Sequence, residues 1–125
     1  WQGTRDISAF LTIPDAIQFR KMHNWEQVSK LCKDRTLEFR KEVHNIIKSE
    51  SLIDGNASDW LGQMYSFIIN YDDAVELKSI FINNHKIEIP IMEWDNKTLM
   101  RISLNGYNNE EDINKLIDTL KKGSY

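Results

Sequence analysis

The chain has 125 residues, 41% of them apolar and 28% charged, which is enough for one domain with a hydrophobic core and ordinary for a globular protein. Its formal charge of -3 comes from 19 acids and 16 bases mixed along the sequence, so no basic face stands ready to neutralise a phosphate backbone, and nucleic acid is not an expected partner. The longest apolar runs, residues 67–69 and 89–92, fall far short of the roughly 20 residues that span a bilayer, so no membrane association is expected.

A single cysteine, Cys32, can form no internal disulfide and supply no zinc cluster, which fits a reducing compartment; with no signal peptide visible, the expected location is the cytoplasm. The sequence opens on Trp1 rather than Met, and Trp1, Gln2, Gly3, Thr4, Arg5 and Asp6 read like the middle of something longer. A larger N-terminal portion is therefore expected to be absent.

Taken in chain order, residues 7–22 carry Ile7, Phe10, Leu11, Pro14, Ile17 and Phe19 at near-helical spacing, with Pro14 forcing a kink or a restart. Asn24 is placed to cap a long helix over residues 25–48, with Val28, Leu31, Cys32, Leu37, Phe39, Val43, Ile46 and Ile47 mostly on one face. Residues 49–59, with Asp54, Gly55, Asn56 and Ser58, read as a loop. Residues 64–69 suit a pleated surface and predict a strand; Asp72 can cap a short helix to about residue 83, with Val75, Leu77, Ile80 and Phe81 inward.

Ile87, Ile89 and Ile91 alternate with Lys86, Glu88 and Pro90, the period of a half-buried strand that Pro90 confines to an edge or ends early. Asp95 and Asn96 make a turn into a strand over residues 99–104, giving an antiparallel hairpin. Asn109 caps the last helix, whose stripe is Ile113, Leu116, Ile117 and Leu120, and Gly123 stops it. From residue 25 the order is helix, strand, helix, strand, strand, helix. That order builds an α+β fold, a small antiparallel sheet with helices packed on one face. Residues 1–22 do not obviously belong to it and are expected to pack on another domain.

Gly3 and Thr4 offer a permissive backbone and a hydroxyl that can approach an anionic oxygen, although a turn or helix cap uses the same pair. Arg5 and Asp6 read as a local surface pair. Arg101 sits inside an apolar strand, where a guanidinium can hold a carboxylate through two parallel hydrogen bonds. Alternation equally makes it an outward strand residue, with Met100, Ile102 and Leu104 on the other face, and the pattern leaves both readings open. His23, His44 and His85 show no ligand spacing, so no metal site is expected. Cys32 reads as a small hydrophobe, and Trp1, Trp25, Trp60 and Trp94 as packing residues too scattered to form a stacking platform.

Taken together, the opening Trp1 to Asp6 hexapeptide, then Arg101, Ile102 and Ser103, Tyr107 and Asn108, and the helix containing Asp112 and Ile113 resemble the class V aminotransferase group, over nearly the whole chain. Arg5 after Gly3 and Thr4, together with Trp60, Gln63 and Met64, is similar to the isopenicillin N epimerase-like branch. A cysteine desulfurase usually has proline at position 5 and a cysteine in the loops ahead of the arginine strand; here position 5 is Arg and no cysteine lies between Trp60 and Arg101. Asn109 departs from the threonine often found after the Tyr-Asn pair, but either residue caps a helix.

The resemblance implies that residues 1–22 end the large, pyridoxal 5'-phosphate-binding domain, residues 23–48 form a connecting helix, and residues 49–125 form the C-terminal small domain of a fold-type I enzyme. It implies that Thr4, with Gly3, contacts the cofactor phosphate of the neighbouring subunit of a homodimer, and that Arg101 grips the substrate α-carboxylate. The Schiff-base lysine and the acid that pairs with the pyridine nitrogen belong to the missing N-terminal domain, so no catalytic residue is expected in this chain and the chain alone should be inactive. The expected parent is an epimerase- or aminotransferase-like enzyme acting on an amino-acid-like substrate held as an external aldimine. The alternatives are a stand-alone α+β interaction or small-ligand module and a desulfurase-like enzyme.

Overall fold

In the computed structural model, which describes residues 3–48, 52, 57–123 and 125, the first helical stretch breaks beside its proline. Helix α1 (Ser8–Leu11) ends at Thr12, and α2 (Ile13–Met22) restarts with Pro14 in its first turn, where a missing N–H removes no helical bond. Ile7, Phe10, Leu11, Ile17 and Phe19 all stand exposed on this segment. Arg5 lies over the Phe10 ring at 4.7 Å, and Asp6 accepts from the Ser8 amide at 2.9 Å.

The long helix α3 (Trp25–Ile47) begins after Asn24 as expected, but not through the expected cap. Asn24 adopts a left-handed backbone (φ 46°), and its amide donates to Gln27 Oε1 at 2.8 Å. A side-chain cap needs an extended backbone at this position, which the left-handed turn does not provide. Thr36, Phe39 and Val43 are the buried positions of α3, and the Thr36 hydroxyl is satisfied by Cys32 O at 2.8 Å. Leu31 was expected on the apolar face but is exposed, while its neighbour Cys32 packs against the core. The expected loop over 49–59 lies largely outside the described residues (49–51 and 53–56) and ends in a 3-10 turn, Ala57–Asp59.

Strand β1 (Met64–Ile69) forms where the sequence predicts it. Helix α4 (Ala74–Asn83) is capped by Asp73 rather than Asp72, its carboxylate accepting from the Val75 and Glu76 amides at 2.9 Å each. Leu77 and Phe81, four residues apart, are fully buried; Val75, two residues before Leu77, is carried to the opposite side and is exposed, against expectation.

Strand β2 (Ile91–Trp94) starts later than the isoleucine alternation suggests and joins β3 (Lys97–Ser103) through Asp95 and Asn96, both left-handed (φ 51° and 56°), as a two-residue hairpin turn requires. Burial does alternate over 86–91, with Ile89 and Ile91 buried and Lys86, Glu88 and Pro90 exposed. The backbone pairing does not follow, because Pro90 has no N–H to give and the Ile87 amide donates instead to Phe81 O at 2.9 Å.

The antiparallel sheet has the order β1-β3-β2, with Tyr65 opposite Ile102 and Phe67 opposite Met100. Its core-facing residues share one parity: Tyr65, Phe67 and Ile69 from β1, Ile91 from β2, Met100 and Ile102 from β3. They pack with Phe39, Val43, Leu77 and Phe81 and with the stripe of α5 (Glu110–Lys122), so the helices cover one face in the α+β arrangement expected. Helix α5 carries a reciprocal cap: Asn109 Oδ1 accepts from the Asp112 amide at 3.0 Å, and Asp112 Oδ2 accepts from the Asn109 amide at 3.2 Å. Gly123 (φ 59°) closes it. Trp60 and Trp94, expected to serve packing, are exposed; Trp94 ends β2 beside the hairpin turn, beyond the span the helices cover.

Candidate functional site

Alternation along β3 places Met100 and Ile102 in the core and sends the side chains of Arg101 and Ser103 to the opposite face. Arg101 occupies the central strand, held by β1 on one side through its place opposite Ser66 and on the other by its amide, which donates to Pro90 O at 3.0 Å. The residue is half-buried, and its Nε is buried with no hydrogen-bond partner.

Two other arginines set the comparison. The Arg35 Nε is equally buried, but its terminal nitrogens reach Glu42 at 2.8 Å, Glu110 at 3.1 Å and Glu38 at 3.4 Å. Arg40 stands by Tyr65, whose phenol burial pushes above its usual pKa while Arg40 acts in the other direction. Among the described residues, no ion pair falls to Arg101. An arginine with no carboxylate within ion-pair distance has donors to offer an incoming anion, although Glu88 and Asp112 line the same cavity.

Arg101 lines a cavity of about 400 Å³. Its floor is residues 101–104 of and beyond β3, one wall is residues 86–90, and the other is Asp112, Lys115 and Leu116 of α5. Tyr107 and Asn108 line it as well, Tyr107 with 78% of its surface exposed. The volume lies within the range of small-molecule sites. The 86–90 wall stands off because the Ile87 amide turns to Phe81 O and the Lys115 ammonium donates to Lys86 O at 3.2 Å.

The loop between β3 and α5 is fixed internally. Asn108 Oδ1 accepts from the Asn105 amide at 3.0 Å, and the Asn108 amide donates to Asn105 O at 2.9 Å. Gly106 lets the loop approach α3: a Cβ there would meet Val28 Cγ1 at 3.0 Å and Trp25 Cη2 at 3.3 Å. A second cavity of about 230 Å³ lies between α3 and this loop, lined by Cys32, Arg35, Asn105 and Glu110 among others. The thiol is half-buried against the core, as its place on α3 suggests.

The structure brings Arg101 together with Ser103, Tyr107, Asn108 and Asp112, all quoted in the sequence motif, and adds residues 86–90, which the motif lacks. Pro90 in an otherwise alternating run was the available signal that this segment leaves the sheet. Gly3 and Thr4 stand apart from this cavity, exposed on the N-terminal segment, with Gly3 left-handed (φ 67°) and nothing within 4 Å of where its Cβ would be. Trp1 and Gln2 lie outside the described residues. His23 packs on Phe19 at 4.3 Å and His85 near Phe81 at 5.6 Å, and no cluster suited to a metal ion occurs among the described residues. No described helix is long and apolar enough to cross a membrane.

No family model matches the sequence. The chain is 27% identical to isopenicillin N epimerase of Streptomyces clavuligerus over 95% of its own length and 23% identical to that of Amycolatopsis lactamdurans over 97%. It is comparably similar, 25% identical over 96% of its length, to the abnormal spindle-like microcephaly-associated protein homolog of Saimiri boliviensis boliviensis. The chain spans 30% of the length of each epimerase and 3% of the spindle-like protein.

Proposed function

We propose that this chain is the substrate-gripping C-terminal domain of a pyridoxal-phosphate enzyme similar to isopenicillin N epimerase, with Arg101 holding the α-carboxylate of an amino-acid-like substrate. The observation that carries the reading is Arg101, half-buried on the central strand, its Nε without a hydrogen-bond partner and the residue in the lining of a cavity sized for a small molecule. The low-identity similarity to two epimerases over almost the whole chain supports it.

Gly3 and Thr4 would meet the cofactor phosphate: the left-handed glycine leaves open space at the backbone and the threonine is exposed, which suits an anion arriving from outside this chain. The two lysines that line the Arg101 cavity fit a covalent role poorly, since Lys86 donates to Asn83 O at 2.7 Å and Lys115 to Lys86 O. On this reading the lysine that binds the cofactor belongs to a domain outside this sequence. When bound, the cofactor supplies an electron sink that acidifies the substrate α-carbon. Arg101 orients the substrate toward it, and residues 7–22 offer exposed apolar side chains to the cofactor-binding domain. A homodimeric parent follows if Thr4 reaches the phosphate of the neighbouring subunit. Whether the outcome is epimerisation or transamination depends on groups beyond this chain.

The test is Arg101→Ala and Arg101→Lys in the full-length enzyme, compared at matched melting temperature and cofactor occupancy. Breaking a desolvated carboxylate pair costs about 2 to 5 kcal/mol, so Arg101→Ala lowers kcat/KM by roughly 30-fold to several thousandfold. Arg101→Lys keeps the charge but loses the fork and also falls substantially. Near-normal efficiency in Arg101→Ala refutes the assignment. The comparable similarity to the spindle-like proteins keeps a second reading in play, an interaction module without a cofactor. Visible absorption from a cofactor in the purified full-length protein separates the two.

A further inference from the structure

We infer that Ser103 is the second half of the carboxylate site, its backbone N–H and hydroxyl completing the grip that the Arg101 guanidinium begins. This rests on the reading of Arg101 as a carboxylate-binding residue. The geometry starts from register. The Leu104 amide donates to Gln63 O at 2.8 Å and the Arg101 amide to Pro90 O at 3.0 Å. Even-numbered residues of β3 therefore direct their peptide groups toward β1, and odd-numbered ones toward β2.

Ser103 thus aims its N–H and C=O at the β2 side, where the ladder has stopped. In the hairpin register, in which Ile91 faces Met100, its partner would be Glu88. But β2 begins only at Ile91, Pro90 has no N–H to return to the Arg101 carbonyl, and residues 86–90 belong to no strand. The sheet edge is left open at the Arg101 carbonyl and at Ser103, and residues of this interruption line the 400 Å³ cavity. Ser103 is exposed and lines that cavity, and among the described residues its hydroxyl has no protein partner.

The side chains of Arg101 and Ser103 leave the same face of β3 two residues apart, roughly 6.6 Å along the strand, a span that an arginine stem covers. A carboxylate presents about four acceptor positions on two oxygens, and a guanidinium fork fills two of them. The Ser103 N–H and O–H are placed to fill others. The donors at this interrupted edge are the guanidinium and the Ser103 N–H and O–H, beside the carbonyls of Arg101 and Ser103, and a carboxylate is favoured over a neutral amide because its charge pairs with the guanidinium.

The experiment follows the Ser103 amide and the Arg101 Nε–H by NMR in the 125-residue chain during titration with propionate, with propionamide as the neutral control. Both signals are expected to move along one saturation curve with propionate and to stay in place with propionamide. Ser103→Ala should weaken propionate binding roughly 10-fold, the loss of one hydrogen bond to a charged group, while Ser103→Thr retains it and Arg101→Ala abolishes saturation. Saturation at Arg101 Nε–H without movement of the Ser103 amide, together with unchanged affinity in a folded Ser103→Ala, overturns this inference and leaves the Arg101 reading intact. No saturable response at either signal, even at the highest soluble propionate concentration, defeats both.

Discussion

Arg35 ties the first residue of α5, just past the loop that borders the candidate site, to the long helix, and replacing it with methionine isolates that tie. Its side chain is only 18% exposed, so methionine can occupy the space of the stem and keep most of the packing while removing the charge. Three carboxylates lose their partner: Glu42 at 2.8 Å, Glu110 at 3.1 Å and Glu38 at 3.4 Å. Burial, the largest single influence on this guanidinium, disfavours its charge, but the hydrogen bond to Glu42 and the charges of Glu110 and Glu42 together outweigh it and raise its pKa. The carboxylates themselves are 40% to 67% exposed, so screening holds each pair to about 0.2 to 1 kcal/mol. Because the three pairs share one guanidinium they do not add fully, and together they contribute about 1 to 2 kcal/mol, plus a few tenths from Glu38 and Glu42 left as like charges one turn apart. At about 4 °C per kcal/mol, Arg35→Met lowers Tm by about 4 to 8 °C in low salt, measured by circular dichroism. In 1 M salt, where screening acts over about 3 Å, the gap between variant and wild type narrows. A variant as stable as wild type in low salt, or a deficit that salt leaves untouched, refutes the charge-clamp argument.

Asn109→Ala removes one arm of the reciprocal cap and leaves the Asp112 amide without its acceptor, so it costs about 1 kcal/mol in urea unfolding, while Asn109→Ser restores most of it; equal midpoints for all three proteins contradict the cap's contribution. Burial raises the Tyr65 phenol, so the stability it contributes is complete below the unfolded value of about 10 and is lost as pH climbs through the higher folded value. Tm therefore falls above about pH 10, less steeply in Tyr65→Phe; the slope persists in part because Tyr71, held by its hydrogen bond to Glu76, and Tyr125, by burial, are also raised. Parallel slopes for wild type and Tyr65→Phe rule out Tyr65 as a contributor.

The periodic parts of this fold were readable because burial and period coincide in them. Ile113, Leu116, Ile117 and Leu120 form a stripe that only one helix face can bury, and Tyr65, Phe67 and Ile69 one that only one strand face can. The misreadings fall where local geometry, which the pattern does not carry, decides. Asp72 and Asp73 are equally good caps on paper, and the winner is whichever carboxylate meets the free amides. Asn24 sits at the right position in the wrong backbone region. The isoleucines of 86–91 alternate in burial as a strand would, yet Pro90 denies the ladder a donor and Ile87 bonds elsewhere. Arg101 was visible as a residue but ambiguous as a site, because alternation along β3 predicts an outward arginine equally well with or without a ligand. What sets Arg101 apart is the adjoining cavity and the absence of an ion pair, properties of the 86–90 wall and of α5 rather than of the strand's own sequence, since a buried Nε without a partner is shared with Arg35 and Arg40.

That division of labour follows from how the sheet is built. A central strand is held on both sides, so Arg101 cannot shift without disturbing the pairing with β1 and the bond to Pro90. Sites on such elements hold their geometry better than sites on loops. The space beside the arginine is made by the opposite device, a strand that fails to continue. Had residue 90 been able to donate, the isoleucine alternation would have carried the hairpin on to Glu88 and Ser103, the edge would be paired, and the guanidinium would border a closed sheet. One proline thus converts an edge strand into a wall. The helices complete the enclosure because the same isoleucines that no longer pair still bury their side chains: Ile89 stays in the core with Ile113 and Leu116, which keeps the 86–90 segment close to α5 while its backbone meets β3 through Pro90 O.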